Sequence, residues 1–138
     1  MTSTLVDSNI LIDIFQPGSS WFTWSRNRLR EARSDGPLIL NFVIASEVAS
    51  EFISERGFDA KLGSSIFVRE DFPWSAAFQA GVAFREYRRR GGVRDRLLPD
   101  FLIGAHALAK SHRLLTRDAR RYRTYFPDLD IIAPDTHP

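Results

Sequence analysis

Short apolar runs alternate along the chain with longer stretches whose apolar positions recur at helical spacing. Thr4 to Asp7 reads as a short buried strand, and Ser8 to Phe15 as a helix closed by Pro17 and Gly18. A second helix is expected to start at a Ser19 or Ser20 cap and run to about Arg33, ending in the Ser34-Asp35-Gly36-Pro37 breaker. Leu38 to Asn41 is the next strand. Val43 to Ser54 has helical spacing and breaks at Gly57, Ala60 to Arg69 reads as a further short helix, and Phe72-Pro73 marks a junction with room for a brief strand. Ala76 to Arg90 is a long amphipathic helix stopped by Gly91-Gly92. Asp100 to His112 is an apolar helix with Pro99 at its start. Arg113 to Thr116 reads as a strand, Asp118 to Tyr122 as a helical turn, and Asp130 to Ala133 as a last strand before the 134–138 tail. Strands alternating with helices predict an α/β fold with a mostly parallel sheet covered on both faces.

At 138 residues the chain has the length of one domain, 1–138, with ordinary globular composition and no repeat. It has no cysteine, which excludes disulfides, thiolate metal sites and thiol nucleophiles. The start has neither a basic leader nor a long apolar segment, so a cytoplasmic protein without a membrane span is expected. The formal charge is only +2, but all of the basic residues except Lys61 and Lys110 are arginines. Arginine's planar fork suits phosphate. Arg85, Arg88, Arg89, Arg90, Arg94 and Arg96 surround the Gly91-Gly92 break, and Arg117, Arg120, Arg121 and Arg123 form a second group. Arg85, Arg88, Arg89, Arg94 and Arg117 are the candidates for holding a polyanion. A solvated helix face is the competing explanation for each of them.

Four carboxylates carry the chemical argument: Asp7, Glu47, Asp100 and Asp118. Asp7 and Asp118 follow strand-like runs, and Glu47 and Asp100 are expected near helix starts. In an open parallel sheet those positions share the edge where ligands bind. Clustered carboxylates raise one another's pKa unless a divalent cation holds them ionised, and oxygen ligands select a hard ion such as Mg2+ or Mn2+. Taken singly, an aspartate at an element boundary more often caps a helix or turn. Four independent caps have no reason to fall at one edge of one sheet. Asp13 is expected to be structural or a peripheral salt-bridge partner. Glu51 competes with Glu47, which fits the helix start better.

Other chemistries lack their residues. His106 and His112, six apart on one expected helix, do not share a stripe, and with His137 they are read as non-ligands. Ser8 has no evident histidine base. An aspartyl-nucleophile phosphatase would carry an acid where Asn9 stands, and there is no Walker-type phosphate loop. Phe15, Trp21, Phe22 and Trp24 form an aromatic group that packs a core or leaves an exposed partner surface.

The chain resembles the PIN-domain endoribonucleases, and more narrowly the VapC toxins of bacterial toxin-antitoxin modules. The resemblance is carried by VDSNILID (Asp7, Ser8, Asn9, Asp13), Glu47, PDFLIGAHAL (Asp100) and LLTRD (Thr116, Asp118), and spans Val6 to about Phe126. It implies a PIN-like three-layer fold and assigns Asp7, Asp100 and Asp118 to a principal Mg2+ or Mn2+, with Glu47 completing the site. Ser8 and Thr116 would orient a water or a phosphate oxygen, and Asn9 would fix the Asp7 carboxylate. The implied reaction is hydrolysis of RNA to 5'-phosphate and 3'-hydroxyl ends. The implied partners are an RNA substrate, a VapB-like antitoxin and a second copy in a homodimer. Gly104 and His106 stand where small residues such as alanine are more usual, a departure expected to touch packing and not chemistry. The alternative function is a non-catalytic arginine-rich RNA-binding or partner-binding domain.

Overall fold

The computed structural model describes residues 1–63 and 65–138. Its elements are β1 (Thr4–Val6), α1 (Ser8–Phe15), α2 (Phe22–Asp35), β2 (Leu38–Leu40), α3 (Phe42–Ala49), α4 (Glu55–Leu62), β3 (Phe67–Arg69), α5 (Ala76–Arg89), α6 (Pro99–Ala109), β4 (Arg113–Leu115), α7 (Arg120–Tyr125) and β5 (Ile131–Ile132). The strands form a five-stranded sheet in the order β3-β2-β1-β4-β5, with every pairing parallel. Right-handed crossovers place α1 to α4 on one face, because β1 to β2 to β3 steps in one direction. The return from β3 to β4 and on to β5 places α5 to α7 on the other. The contacts agree: α1 packs on α2 and α3, while α5, α6 and α7 pack on one another. The result is a three-layer α/β domain.

β2 and β5 are wholly apolar, and β1 and β4 are apolar after Thr4 and Arg113, because both faces of the sheet are covered. Leu5, Val6, Leu38, Leu40, Leu114 and Leu115 are all almost fully buried, as are Ile10, Leu11, Ile44 and Val48 on one side and Phe101 and Ile103 on the other. Among the described residues, no helix is long and apolar enough to cross a membrane.

Several boundaries differ from the sequence expectation, each for a local reason. α2 begins at Phe22, since Ser19 does not cap it; the Ser19 hydroxyl donates to Asp13 and accepts from the Trp21 amide. The helix expected over 43–54 stops at Ala49, and Ser54 instead caps α4 by accepting from the Gly57 amide, so Gly57 lies inside a helix. The helix expected over Ala60 to Arg69 ends at Leu62; Ser64 lies outside the described residues, and Phe67–Arg69 is the edge strand β3. Only Phe67 of that strand is buried, so its sequence lacks the apolar run of the others. No strand forms at Phe72-Pro73. α6 stops at Ala109, where Ser111 adopts φ 56° and turns the chain so that His112 falls outside the helix.

Gly104 sits in α6 against Phe126, just past α7. A Cβ added at Gly104 would come within 2.5 Å of the Phe126 ring. The missing side chain therefore lets the two elements close on each other.

Candidate active site

The direction of winding reverses between β1 and β4, so their carboxyl ends form the switch point at which doubly wound sheets bind ligands. Val6 pairs with Leu115, and the Asp7 amide donates to the Leu115 carbonyl at 3.0 Å, which sets Asp7 and Thr116 side by side. Asp7 is the N-cap of α1, with its Oδ1 accepting from the Ser8 amide at 2.8 Å. Its Oδ2 accepts from the Thr116 hydroxyl at 2.9 Å and from the Tyr122 hydroxyl at 2.9 Å.

Asp100 and Glu47 are tied to Asp7 through residues that also donate to it, Tyr122 and Ser8. Tyr122 Oη lies 3.4 Å from Asp100 Oδ1, and Arg121 donates to Asp100 Oδ2 at 2.9 Å. Asp100 is in the first turn of α6, where Pro99 at the helix start suits the fixed φ and the free amides favour an anion. The Ser8 hydroxyl donates to Glu47 Oε1 at 3.1 Å. Glu47 lies in the second half of α3 and not at its start, because the helix is only eight residues long. Asp118 is exposed in the loop after β4, and its amide donates to Thr116 Oγ1 at 3.2 Å.

Burial is the main force on Asp7, pushing its carboxyl up to about 6; the hydrogen bond from Thr116 pulls down, the charge on Asp100 pushes up, and Tyr122 and Ser8 pull down. Glu47 is also raised, by burial first and by Asp100 as well, against the Ser8 hydrogen bond. The Tyr122 hydroxyl is driven well above its ordinary range by burial and the carboxylates around it, so it remains a donor. Asp7, Asp100 and Glu47 are linked around one region by shared donors and by charge without closing on a point, while Asp118 joins them only through its backbone. Among the described residues, three acidic or imidazole groups whose ligand atoms all lie within 4.8 Å of one another occur at Glu70, His106 and His112, and not among the four acids. Uncompensated like charges spread and take hydrogen-bond donors, which is what Tyr122 and Arg121 supply.

The supporting residues differ in part from expectation. Asn9 does not touch Asp7; its amide donates to Thr116 Oγ1 at 3.3 Å and its carbonyl accepts from the Arg117 amide at 3.1 Å, so it acts on Asp7 through Thr116. Arg117, read as a candidate for holding RNA, has its guanidinium paired with Asp13 through Nε and Nη2. Asp13 is not peripheral: it is buried, and also accepts from Ser25 at 2.6 Å and Ser19 at 3.1 Å. Arg85, Arg88, Arg89 and Arg94 are exposed; Arg89 pairs with Glu86, and the Arg88 guanidinium lies over the Phe84 ring. Tyr122 and Arg121 were missed as site residues. α7 begins at Arg120, two residues beyond Asp118, and nothing in the sequence period marks which side of so short a helix faces the acids.

Fold and acids together define a doubly wound α/β domain with an anionic site at its switch point. The chain belongs to the PIN domain family, whose model matches residues 4–127. Among curated proteins none matches it. Solved structures share the fold at low identity. A chain of VapBC2 from Rickettsia felis bound to a DNA fragment from its promoter is 18% identical with a TM-score of 0.74, covering 96% of this chain and 98% of its own. A chain of DNA-bound VapBC from Salmonella typhimurium is 19% identical with a TM-score of 0.71 and the same coverage. Mycobacterium tuberculosis VapC20, described as a sarcin-ricin loop cleaving toxin, is 14% identical with a TM-score of 0.54, covering 80% of this chain and 85% of its own.

Proposed function

We propose that this chain is a metal-dependent endoribonuclease that hydrolyses RNA phosphodiester bonds and serves as the toxin of a type II toxin-antitoxin pair. The observation that carries the reading is Asp7, buried beside Asp100 with its carboxyl held up to about 6. Such a group lacks positive charge, and an all-oxygen, anionic donor set fits a hard divalent ion. Asp7, Glu47, Asp100 and Asp118 would hold Mg2+ or Mn2+. When bound, such an ion supplies an activated water and neutralises charge on the phosphate.

The chain's own residues do the positioning. Ser8 donates to Asp7 through its amide and to Glu47 through its hydroxyl, so one residue fixes two acids relative to each other. Thr116, steered by Asn9, aims Asp7. Arg121, already at Asp100, brings a cation to the place where phosphate would arrive. Arg85, Arg88, Arg89 and Arg94 offer further positive charge on α5 and just beyond it, with Arg89 in part offset by Glu86.

RNA as substrate is supported by the family and by the neighbour described as cleaving the sarcin-ricin loop. A VapB-like antitoxin as partner is supported by the VapBC neighbours, and a homodimer by the family resemblance. Within the aromatic group of Phe15, Trp21, Phe22 and Trp24, Trp21 is exposed and the other three are half-buried. A further apolar surface is the groove of about 390 Å³ lined by Phe42, Ala45, Ala49, Phe58 and Leu62, with Phe42 largely exposed at it.

The test is cleavage of total RNA with Mg2+ or Mn2+ by the purified protein and by Asp7→Asn, paired with growth on induced expression. Cleavage and growth arrest that both require Asp7 and a divalent ion are expected, and sequencing the new ends gives the site. If the two proteins are equally toxic, or both are harmless with no ion-dependent cleavage, a non-catalytic binding domain replaces this reading.

A further inference from the structure

Away from the four acids, a second polar cluster lies within the fold. Glu70 Oε1, just past β3, accepts from His106 Nε2 at 2.8 Å and from His112 Nε2 at 2.7 Å. His106 is fully buried and His112 nearly so, while Glu70 is partly exposed. The outer nitrogens are also engaged: His106 Nδ1 with Asn41 Nδ2 at 2.9 Å, and His112 Nδ1 with Ser3 Oγ at 2.5 Å. Two imidazoles and a carboxylate so close together match the ligand types of a metal site.

The Asn41 amide argues against a metal. Its Oδ1 caps α3 by accepting from the Ile44 amide at 2.9 Å, so the group it turns toward His106 is the NH2. His106 Nδ1 must then accept, and the neutral ring carries its proton on Nε2, pointing at Glu70. A ring in that tautomer has no lone pair to offer a cation at Nε2. Burial holds His106 below the usual imidazole range against the pull of Glu70, consistent with a neutral ring. For Glu70, burial raises the carboxyl, but the hydrogen bonds from the two histidines outweigh it and the net shift is downward.

The elements joined by this chain of hydrogen bonds are the ones that carry the acids. Ser3 leads into β1 and Asp7, Asn41 caps α3 and Glu47, His106 lies on α6 with Asp100, and His112 leads into β4 and Asp118. We propose that Ser3, Asn41, Glu70, His106 and His112 form a positioning network that fixes the four acid-bearing elements relative to one another, with Glu70 as its shared acceptor. The inference rests on the four acids holding a divalent ion, as in the function proposed above. Hydrogen bonds made directly to metal ligands typically alter metal affinity by about 10- to 100-fold, and this network, which reaches the acids only through the backbone, acts toward the low end of that range. Without Glu70, two buried N–H groups lose their partner.

The experiment is calorimetric titration of the intact protein with Mn2+ at a temperature where circular dichroism shows every variant folded. Glu70→Ala is expected to weaken Asp7-dependent Mn2+ binding by about tenfold. Glu70→Gln, whose amide oxygen still accepts from both rings, should stay near wild type. Leu62→Ala, a core change on α4, which bears none of the acids, should lower thermal stability and leave the affinity alone. Wild-type affinity in Glu70→Ala, or equal weakening in Glu70→Ala and Leu62→Ala, overturns the proposal. So does Zn2+ binding that survives Asp7→Asn and vanishes in Glu70→Ala, which would make the cluster a metal site. If the wild type binds Mn2+ through Asp7 yet cleaves no RNA, the ribonuclease reading fails while the variants still decide the network. If it binds no Mn2+, both fall.

Discussion

Arg117 grips Asp13 with two hydrogen bonds, Nε to Oδ2 at 2.7 Å and Nη2 to Oδ1 at 3.1 Å. Asp13 is buried in α1 and Arg117 follows Thr116, so the pair clamps the first helix to the loop that also carries Asp118. Arg117→Ala would strand a buried carboxylate with only Ser19 and Ser25 as donors. The expected loss is roughly 3 kcal/mol, toward the low end for such a break because Arg117 is partly exposed. Chemical denaturation measures it. Arg117→Ala matching the wild type in stability but losing RNA affinity would return this residue to the nucleic-acid surface.

Asp7 makes the ion-free protein less stable as pH rises. Its carboxyl stands at about 6 in the folded chain against an ordinary value of 3.8, so between those values the folded state binds more protons than the unfolded one. Stability linked to this group is present below pH 4 and lost as pH climbs through 6. The loss amounts to about 3 kcal/mol at 1.36 kcal/mol per pH unit. With a chelator present, wild type should therefore fall relative to Asp7→Asn across that window, Asn remaining a competent N-cap. At pH 7.5, Mn2+ should restore the wild type and leave Asp7→Asn unchanged. Parallel stability curves for the two proteins would contradict this account.

The Tyr122 hydroxyl favours the ionised form of Asp7 by donating to it. Tyr122→Phe removes that donor and leaves the ring in place. The Asp7 carboxyl then rises above its present value, and any activity needing it ionised shifts its acid limb toward higher pH. A hydrogen bond to a charged group is worth roughly 1.5–3 kcal/mol, which sets the displacement at about one pH unit or more. Rate against pH for wild type and Tyr122→Phe reads this directly. A uniform drop at every pH would assign Tyr122 to packing alone.

Much of the architecture was legible because burial on both faces leaves a plain signature. β1, β2, β4 and β5 announce themselves as apolar runs, and Asp7 and Asp118 follow two of them. β3 was hidden because Val68 and Arg69 face solvent at the sheet edge. The break between α3 and α4 was hidden because its cap, Ser54, sits in a stretch whose apolar spacing still looks helical. The hydrogen-bond partners of the acids depend on contacts across the fold. Tyr122 meets Asp7 from a distance of 115 residues, and no local spacing encodes that. The histidines show the same limit. A helix running to His112 would set them on different stripes, but the left-handed turn at Ser111 brings both rings to Glu70.

Gly104 gives the acidic site a dimension that no side chain supplies. Because hydrogen stands there in place of a methyl group, the Phe126 ring rests almost on the backbone of α6, and α7 is drawn in behind it. Tyr122 and Arg121 ride on α7 and Asp100 on α6, so the span between hydroxyl, guanidinium and carboxylate is gauged by that bare backbone. One added carbon at Gly104, a helical turn beyond Asp100, would act as a spacer and push α7 away from α6.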